Sequence, residues 1–354
     1  MCNRNPYHCI IPPCITEHLA RSDDPEIRAR AIANLKASAT FRATRLSSRA
    51  MPTLMVSMSP DKNRNRLVYS ANDTAELPGK LVRSEGQDET SDAAVNEAYH
   101  GAGATYDFYH ELFGRNSLDD NGMSLVSTVH VAEWNYRDQR YEPLDNAFWN
   151  GEQMAYGDGD GLWSQRFTGS LEVIAHELTH GVQAFTSNLT YYGQSGALNE
   201  HFADVLGVLV RQWKNAETAE SANWVIGAQV LVPAATRRGI RDMEFPGTAY
   251  TDDPYIGSDQ QVGHMRQYRD TDEDNGGVHY NSGIPNKAFV LVAKALGGNA
   301  WEVAGRIWYQ TMLQLSSNSR FEDCARVSVQ IAGQYGAHVK KAVRAAWKQV
   351  GITV

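Results

Sequence analysis

Two hydrophobic periods divide the chain. Between Thr53 and about Tyr141 the apolar positions fall in short runs, LVYSA at 67–71, SLVSTVHVAEW at 124–134 and RYEPL at 140–144, which predict strands. A longer stretch among them, Ser91 to Phe113, has helical spacing, and DDNG at 119–122 is a turn signal. Beyond Leu198 the helical period dominates. TGSLEVIAHELTHGVQAFTS predicts a helix with Thr168 or Ser170 as N-cap, and further helices are predicted at 197–213, 284–296, 300–313, 321–336 and 337–350. The segment NAFWNGEQMAYGDGDG at 146–161 separates the halves and is dense in Gly, Asp and aromatics; its Gly-Asp alternation suggests tight turns rather than a calcium loop. The first 50 residues stand apart, with a Pro-containing start, a basic Ala-rich helical segment from Pro25 to Lys36, and then TFRATRLSSRAMP. They read as an appendage, and no internal repeat is present.

Composition narrows the function. At 354 residues and 42% hydrophobic the chain suits one large or two medium globular domains. Acidic side chains outnumber basic ones, 41 to 33, which argues against a nucleic-acid backbone binder. No apolar run reaches 18 residues, so no membrane partner is expected, and the N-terminus does not read as a secretory signal peptide. Three of the four cysteines, Cys2, Cys9 and Cys14, crowd the start, leaving Cys324 alone in the body. A disulfide framework is thereby excluded, and the fold must rest on its core or on metal.

The chemistry-bearing pattern is His176-Glu177-Leu178-Thr179-His180 inside the helix at 168–187. Residues four apart on a helix lie about 40° apart in projection, so both imidazoles can reach one ion while Glu177 stands beside it. Alone, the motif also fits an amphipathic helix carrying two histidines. A catalytic zinc needs a third protein ligand and an open position for water. The helix-forming GALNEHFAD offers Glu200, with 19 residues between it and His180, and Asp204 one turn further on.

HExxH followed at this spacing by a helix with NExxxD resembles the thermolysin family of zinc metallopeptidases. A second motif, DNGGVHYNSGIPNKAF at 274–289, carries the same resemblance. It covers the chain from about Pro52 to Val354 and implies an α+β, two-lobed metallopeptidase. A β-rich N-terminal lobe at 51–187 ends in the HExxH helix, an α-helical lobe spans 188–354, and the zinc lies in the cleft between them. It further implies one Zn2+ held by His176, His180 and Glu200, with Asn199 and Asp204 as partners of the ligand histidines. Glu177 is then the general base, His279 and Tyr191 are oxyanion donors, and Asp274 orients His279. Tyr192 leaves the register of the tyrosine less secure, though counting back from Glu200 favours Tyr191. Asn146, Ala147 and Arg241 match positions that bind substrate backbone, and Phe167, Val173, Ile226 and Ile240 match the pocket after the scissile bond. Their apolar character implies cleavage before bulky hydrophobic residues.

The sequence also departs from the family pattern. Where thermolysin has a carboxylate-rich double calcium site, this chain has Arg211, Asn223, Val225 and Ala228 with Glu172 as the lone acid. No double calcium site is expected, with Arg211 pairing with Glu172; other calcium is left open. His201 has no role by resemblance. The short leader with IIPP resembles the protealysin-like subgroup, implying that residues 1–50 are an inhibitory propeptide, lying in the cleft and removed by the enzyme near Ser48 to Met51. Cys14 follows the Pro pair; it is either a plain thiol or a thiolate ligating zinc as a latency switch. The expectation is a neutral zinc endopeptidase, monomeric, acting on proteins or peptides and made as a latent precursor. It is either exported without a classical signal peptide, as the family favours, or retained in the cytoplasm. The alternatives are a binding protein with a dead site and a zinc hydrolase of another bond.

Overall fold

The computed structural model describes residues 8–35 and 64–354. The expected maturation region, Ser48 to Met51, lies outside them. A seven-stranded mixed sheet is built from β1 (His8–Cys9), β2 (Arg66–Thr74), β3 (Lys80–Ser84), β4 (Leu125–Asn135), β5 (Arg140–Pro143), β6 (Ala147–Trp149) and β7 (Met154–Gly157). The order runs β1-β6-β7-β4-β2-β3, with β5 pairing β4. β4 lies parallel to β2 and β7, while β6 runs antiparallel to both β7 and β1. The leader strand β1 therefore extends the sheet at the edge formed by β6.

The leader continues into α1 (Pro13–Leu19), which starts with proline at its first position, where the missing N–H has no intrahelical partner to lose. A second leader helix, α2, covers 25–35. α3 (Ala93–Phe113) is N-capped by Asp92, whose carboxylate accepts from the Ala94 and Val95 N–H groups, and it packs on the sheet and on α4.

α4 (Leu171–Ala184) and α5 (Gly193–Asn215) form the most extensive helix pair. Their approach depends on Gly207. A Cβ there would meet the Glu172 carbonyl oxygen at 2.7 Å and the His176 nitrogen at 3.0 Å, so any larger residue would spread the helices. A short ribbon follows, β8 (Val225–Ile226) with β9 (Arg241–Asp242). The rest is helical: α6 (Asp274–Asn281), α7 (Gly283–Leu296), α8 (Val303–Gln314), α9 (Phe321–Ala332) and α10 (Ala337–Gln349). α10 buries Val339, Val343, Ala346 and Trp347, an i, i+4, i+7, i+8 stripe, and stacks Trp347 on Trp308. The expected β-rich lobe before α4 and helical lobe after it are both present. The segment at 146–161 holds β6 and β7, with the Gly-Asp run following β7.

Candidate metal centre and active site

α4 places His176 and His180 one turn apart on the face toward α5, and α5 presents Glu200 to them. His176 Nε2 and His180 Nε2 are 3.1 Å apart, and the Glu200 oxygens lie 3.5 Å and 3.6 Å from them. The opposite ring nitrogens are held by neighbours on α5. His180 Nδ1 is 2.7 Å from Asn199 Oδ1, and His176 Nδ1 is 2.8 Å from Asp204 Oδ1. With each Nδ1–H donating outward, both Nε2 lone pairs converge on a carboxylate. Glu200 Oε2 is buried with no hydrogen-bond partner among the described residues. Converging lone pairs and an orphaned carboxylate oxygen at 0–1% exposure repel one another unless a cation lies among them, so the donor set fits Zn2+.

Asp204 is itself clamped. Arg241 donates from Nε at 3.0 Å and from Nη2 at 2.8 Å, and Asn286 Nδ2 donates at 2.8 Å. Burial works against the charge, but Arg241 and His176 hold the Asp204 carboxyl well below the usual range. This network also gives His201 a place. Its Nδ1–H donates to Asn286 Oδ1 at 2.7 Å and its Nε2 accepts from the Trp308 N–H at 2.8 Å. Burial pushes His201 down to about 4, although Asn286 and Asp204 act against it, so the ring is neutral and suited to these opposite roles. His201, Asn286 and Trp308 are supports the sequence reading did not find. They lie up to 107 positions apart and no local pattern joins them.

Glu177 accepts the Trp149 N–H at 3.1 Å through Oε2, while Oε1 is buried without a hydrogen-bond partner among the described residues. Burial first, then Glu200, raises its carboxyl well above the usual range. Across the cleft, Asp274 accepts both the His279 backbone N–H at 2.7 Å and the ring Nδ1–H at 2.6 Å. The turn that allows this passes through Gly276 and Gly277 at φ 82° and 74°, where a side chain would be strained. Burial alone would lower the His279 ring, but Asp274 and Glu200 outweigh it and raise it to about 9. Its Nε2–H is thereby available as a donor, 3.4 Å from the Tyr191 hydroxyl, which also bonds Glu200. Tyr191 is 5% exposed and Tyr192 46%, so Tyr191 is the tyrosine in the site.

The leader fills the adjoining cleft. β1 pairs with β6 with Cys9 opposite Phe148; Ile10 N–H donates to Ala147 O at 3.4 Å and Ile11 N–H to Asn146 Oδ1 at 3.4 Å. Arg241 Nη1 donates to the Ile10 carbonyl at 2.8 Å. Ile10, Phe167, Val173, Ile226 and Ile240 are all buried in one continuous apolar cluster. Cys14 is not among the grouped ligands. It sits in α1 bonded to Tyr250, and burial pushes its thiol up to about 12, so the latency switch through a Cys14 thiolate is set aside. Cys9 is the leader cysteine whose backbone reaches the site. At the double-calcium position Arg211 Nη1 lies 3.2 Å from Glu172 Oε1, the expected pair, and also bonds the Val225 carbonyl.

One other grouping with metal-ligand geometry among the described residues, Asp73 of β2, His130 of β4 and Asp158 just after β7, lies across the interior strands of the sheet. Here the His130 ring spans Asp158 at 2.7 Å and Asp92 at 2.8 Å. The bond to Asp158 raises it to about 9, against partial burial and with help from Asp92. A group whose folded pKa is raised stabilises fully below its unfolded value, about 6.5. That contribution is lost as pH rises through about 9. The melting-temperature difference between the parent and His130→Asn should therefore shrink between pH 7 and pH 10; a constant difference would contradict this.

Comparison with known proteins points to one family. Residues 53–184 match the model of the thermolysin metallopeptidase catalytic domain and 187–352 that of its alpha-helical domain. An extracellular metalloprotease of Pectobacterium carotovorum subsp. carotovorum is 49% identical over 298 residues, covering 83% of each chain. Protease PrtS of a Photorhabdus species (strain Az29) is 42% identical over 359 residues, 99% of this chain and 93% of the other. Among solved structures, the precursor of protealysin, a metalloproteinase from Serratia proteamaculans, matches with TM-score 0.86 and 41% identity over 98% of this chain and 100% of that one. On these matches and the paired histidines and glutamate of the cleft, the chain belongs to the thermolysin family of metallopeptidases, in its protealysin-like group, and is a metalloendopeptidase.

Proposed function

We propose that this enzyme is a neutral zinc endopeptidase that cleaves before bulky hydrophobic residues and removes its own leader, residues 1–50, from a body divided at about 187/188. His176, His180 and Glu200 hold the metal, and Asn199 and Asp204 fix the histidine tautomers. Zinc, where bound, supplies a Lewis acid that acidifies water and polarises a carbonyl. Glu177, desolvated and orphaned at Oε1, accepts the proton of the attacking water and returns it to the leaving nitrogen. His279, held by Asp274, and Tyr191 donate to the oxygen on which negative charge develops. Asn146, Ala147 and Arg241 align the substrate backbone by strand addition at β6.

The observation that carries this reading is the path of the leader, whose backbone already makes those bonds and whose Ile10 side chain is wholly buried. The leader is also anchored away from the cleft. Arg30 pairs with Glu142 at 3.2 Å and Asp160 at 3.5 Å, and Asn34 exchanges bonds with Asp145. Such an occupant keeps other peptides out, which supports latency before processing. Arg211 beside Glu172 supports the lack of a double calcium site, since a guanidinium there takes the place of a cation. No helix among the described residues is long and apolar enough to cross a membrane. With extracellular relatives, the reading extends to a monomer that acts outside the cell. A peptide library digested by the mature enzyme tests the specificity: Leu, Ile, Val or Phe should follow the cut, and a preference for acidic or basic residues there would contradict it.

A further inference from the structure

The bonds between leader and cleft fix a single register. The Cys9 carbonyl oxygen lies 3.2 Å from His279 Nε2. The next nitrogen, of Ile10, donates to Ala147 O and also faces the Glu177 carboxylate. The Ile10 carbonyl takes Arg241 Nη1 at 2.8 Å, and Ile11 N–H reaches Asn146 Oδ1. Antiparallel pairing continues backwards, with His8 opposite Trp149. Thus one peptide bond, Cys9–Ile10, has a donor at its carbonyl oxygen and a proton-transferring carboxylate at its nitrogen. The residue that follows it, Ile10, is wholly buried in the hydrophobic core.

We propose that Cys9–Ile10 is itself a self-cleavage site, so that the leader is first cut inside the cleft, some 40 residues ahead of the junction with the body. In this step water oxygen bonds to the Cys9 carbonyl carbon while its proton passes to Glu177. The Cys9–Ile10 bond then breaks, and the Ile10 nitrogen takes that proton. The products are a carboxylate at Cys9 and an amine at Ile10, with no oxidant or co-reactant needed. The inference rests on the endopeptidase reading above. Its consequence is a two-stage release. The cut makes residues 1–9 a separate peptide, free to dissociate from β6. Ile10 onward stays bound through Arg241, α1 and the Arg30 anchor.

Intact-mass and N-terminal analysis of zinc-loaded precursor over time should find a chain beginning at Ile10 and the free peptide 1–9, both absent from Glu177→Gln. Casein activity arising with neither product at any time would overturn the inference and leave the endopeptidase reading standing. Absence of casein activity after removal of the leader would overturn that reading instead. A second measurement needs no turnover. In zinc-free Glu177→Gln precursor labelled with carbonyl-13C cysteine and 15N isoleucine, only the Cys9–Ile10 and Cys14–Ile15 pairs give carbonyl–nitrogen cross-peaks. Adding His279→Gln should move the first and leave the second; an unmoved first peak would overturn the register.

Discussion

Glu177→Gln enzyme is expected to bind zinc as the parent does and to hydrolyse casein on the order of 10²–10⁴-fold more slowly. The side chain is fully buried and accepts one backbone N–H from Trp149, while its second oxygen has no hydrogen-bond partner among the described residues. Glutamine keeps the shape and the Trp149 contact but cannot take a proton from water. The ligands are other residues, so metal content should not change. Metal analysis beside a casein assay separates the two effects. Retained activity would remove Glu177 from the proton path, and lost zinc would show that it serves the metal instead.

Asp204→Ala should be the most damaging single change away from the ligands. It removes the acceptor of His176 Nδ1 and leaves the buried Arg241 without its carboxylate. Breaking a buried ion pair from one side costs about 3–5 kcal/mol, because the remaining charge stays uncompensated. Losing an outer partner of a ligand histidine typically weakens metal binding by about 10–100-fold. Asp204→Asn keeps the volume and can still accept from His176, so its metal affinity should fall less than its stability. Chemical denaturation and zinc titration of both variants check this order. Equal losses of zinc in the two would mean that the charge, not the acceptor, secures His176.

The grouping of His176, His180 and Glu200 was legible because its geometry is local. Two histidines four apart on a helix must share a side, and Glu200 to Asp204 is one turn of the next helix. The mapped residues of both motifs converge in the cleft, and the described start of the leader pairs with β6 beside them. What remained hidden depends on tertiary packing. Every residue of β6 and β7 is buried, so neither strand shows the alternation that marks a half-exposed strand. Choosing Tyr191 over Tyr192 required knowing which ring faces inward. His201, Asn286 and Trp308 come from three helices and meet only because α5, α7 and α8 pack together. The Cys9–Ile10 register depends on the pairing of β1 with β6 across more than 130 positions.

Metal dependence at His176, His180 and Glu200 is the property on which the proposed activity rests. Mature enzyme should carry one zinc per chain, lose casein activity when a chelator strips it, and regain activity on zinc addition, with His180→Ala neither binding zinc nor recovering. Full casein activity in metal-free protein, or in His180→Ala, would contradict it.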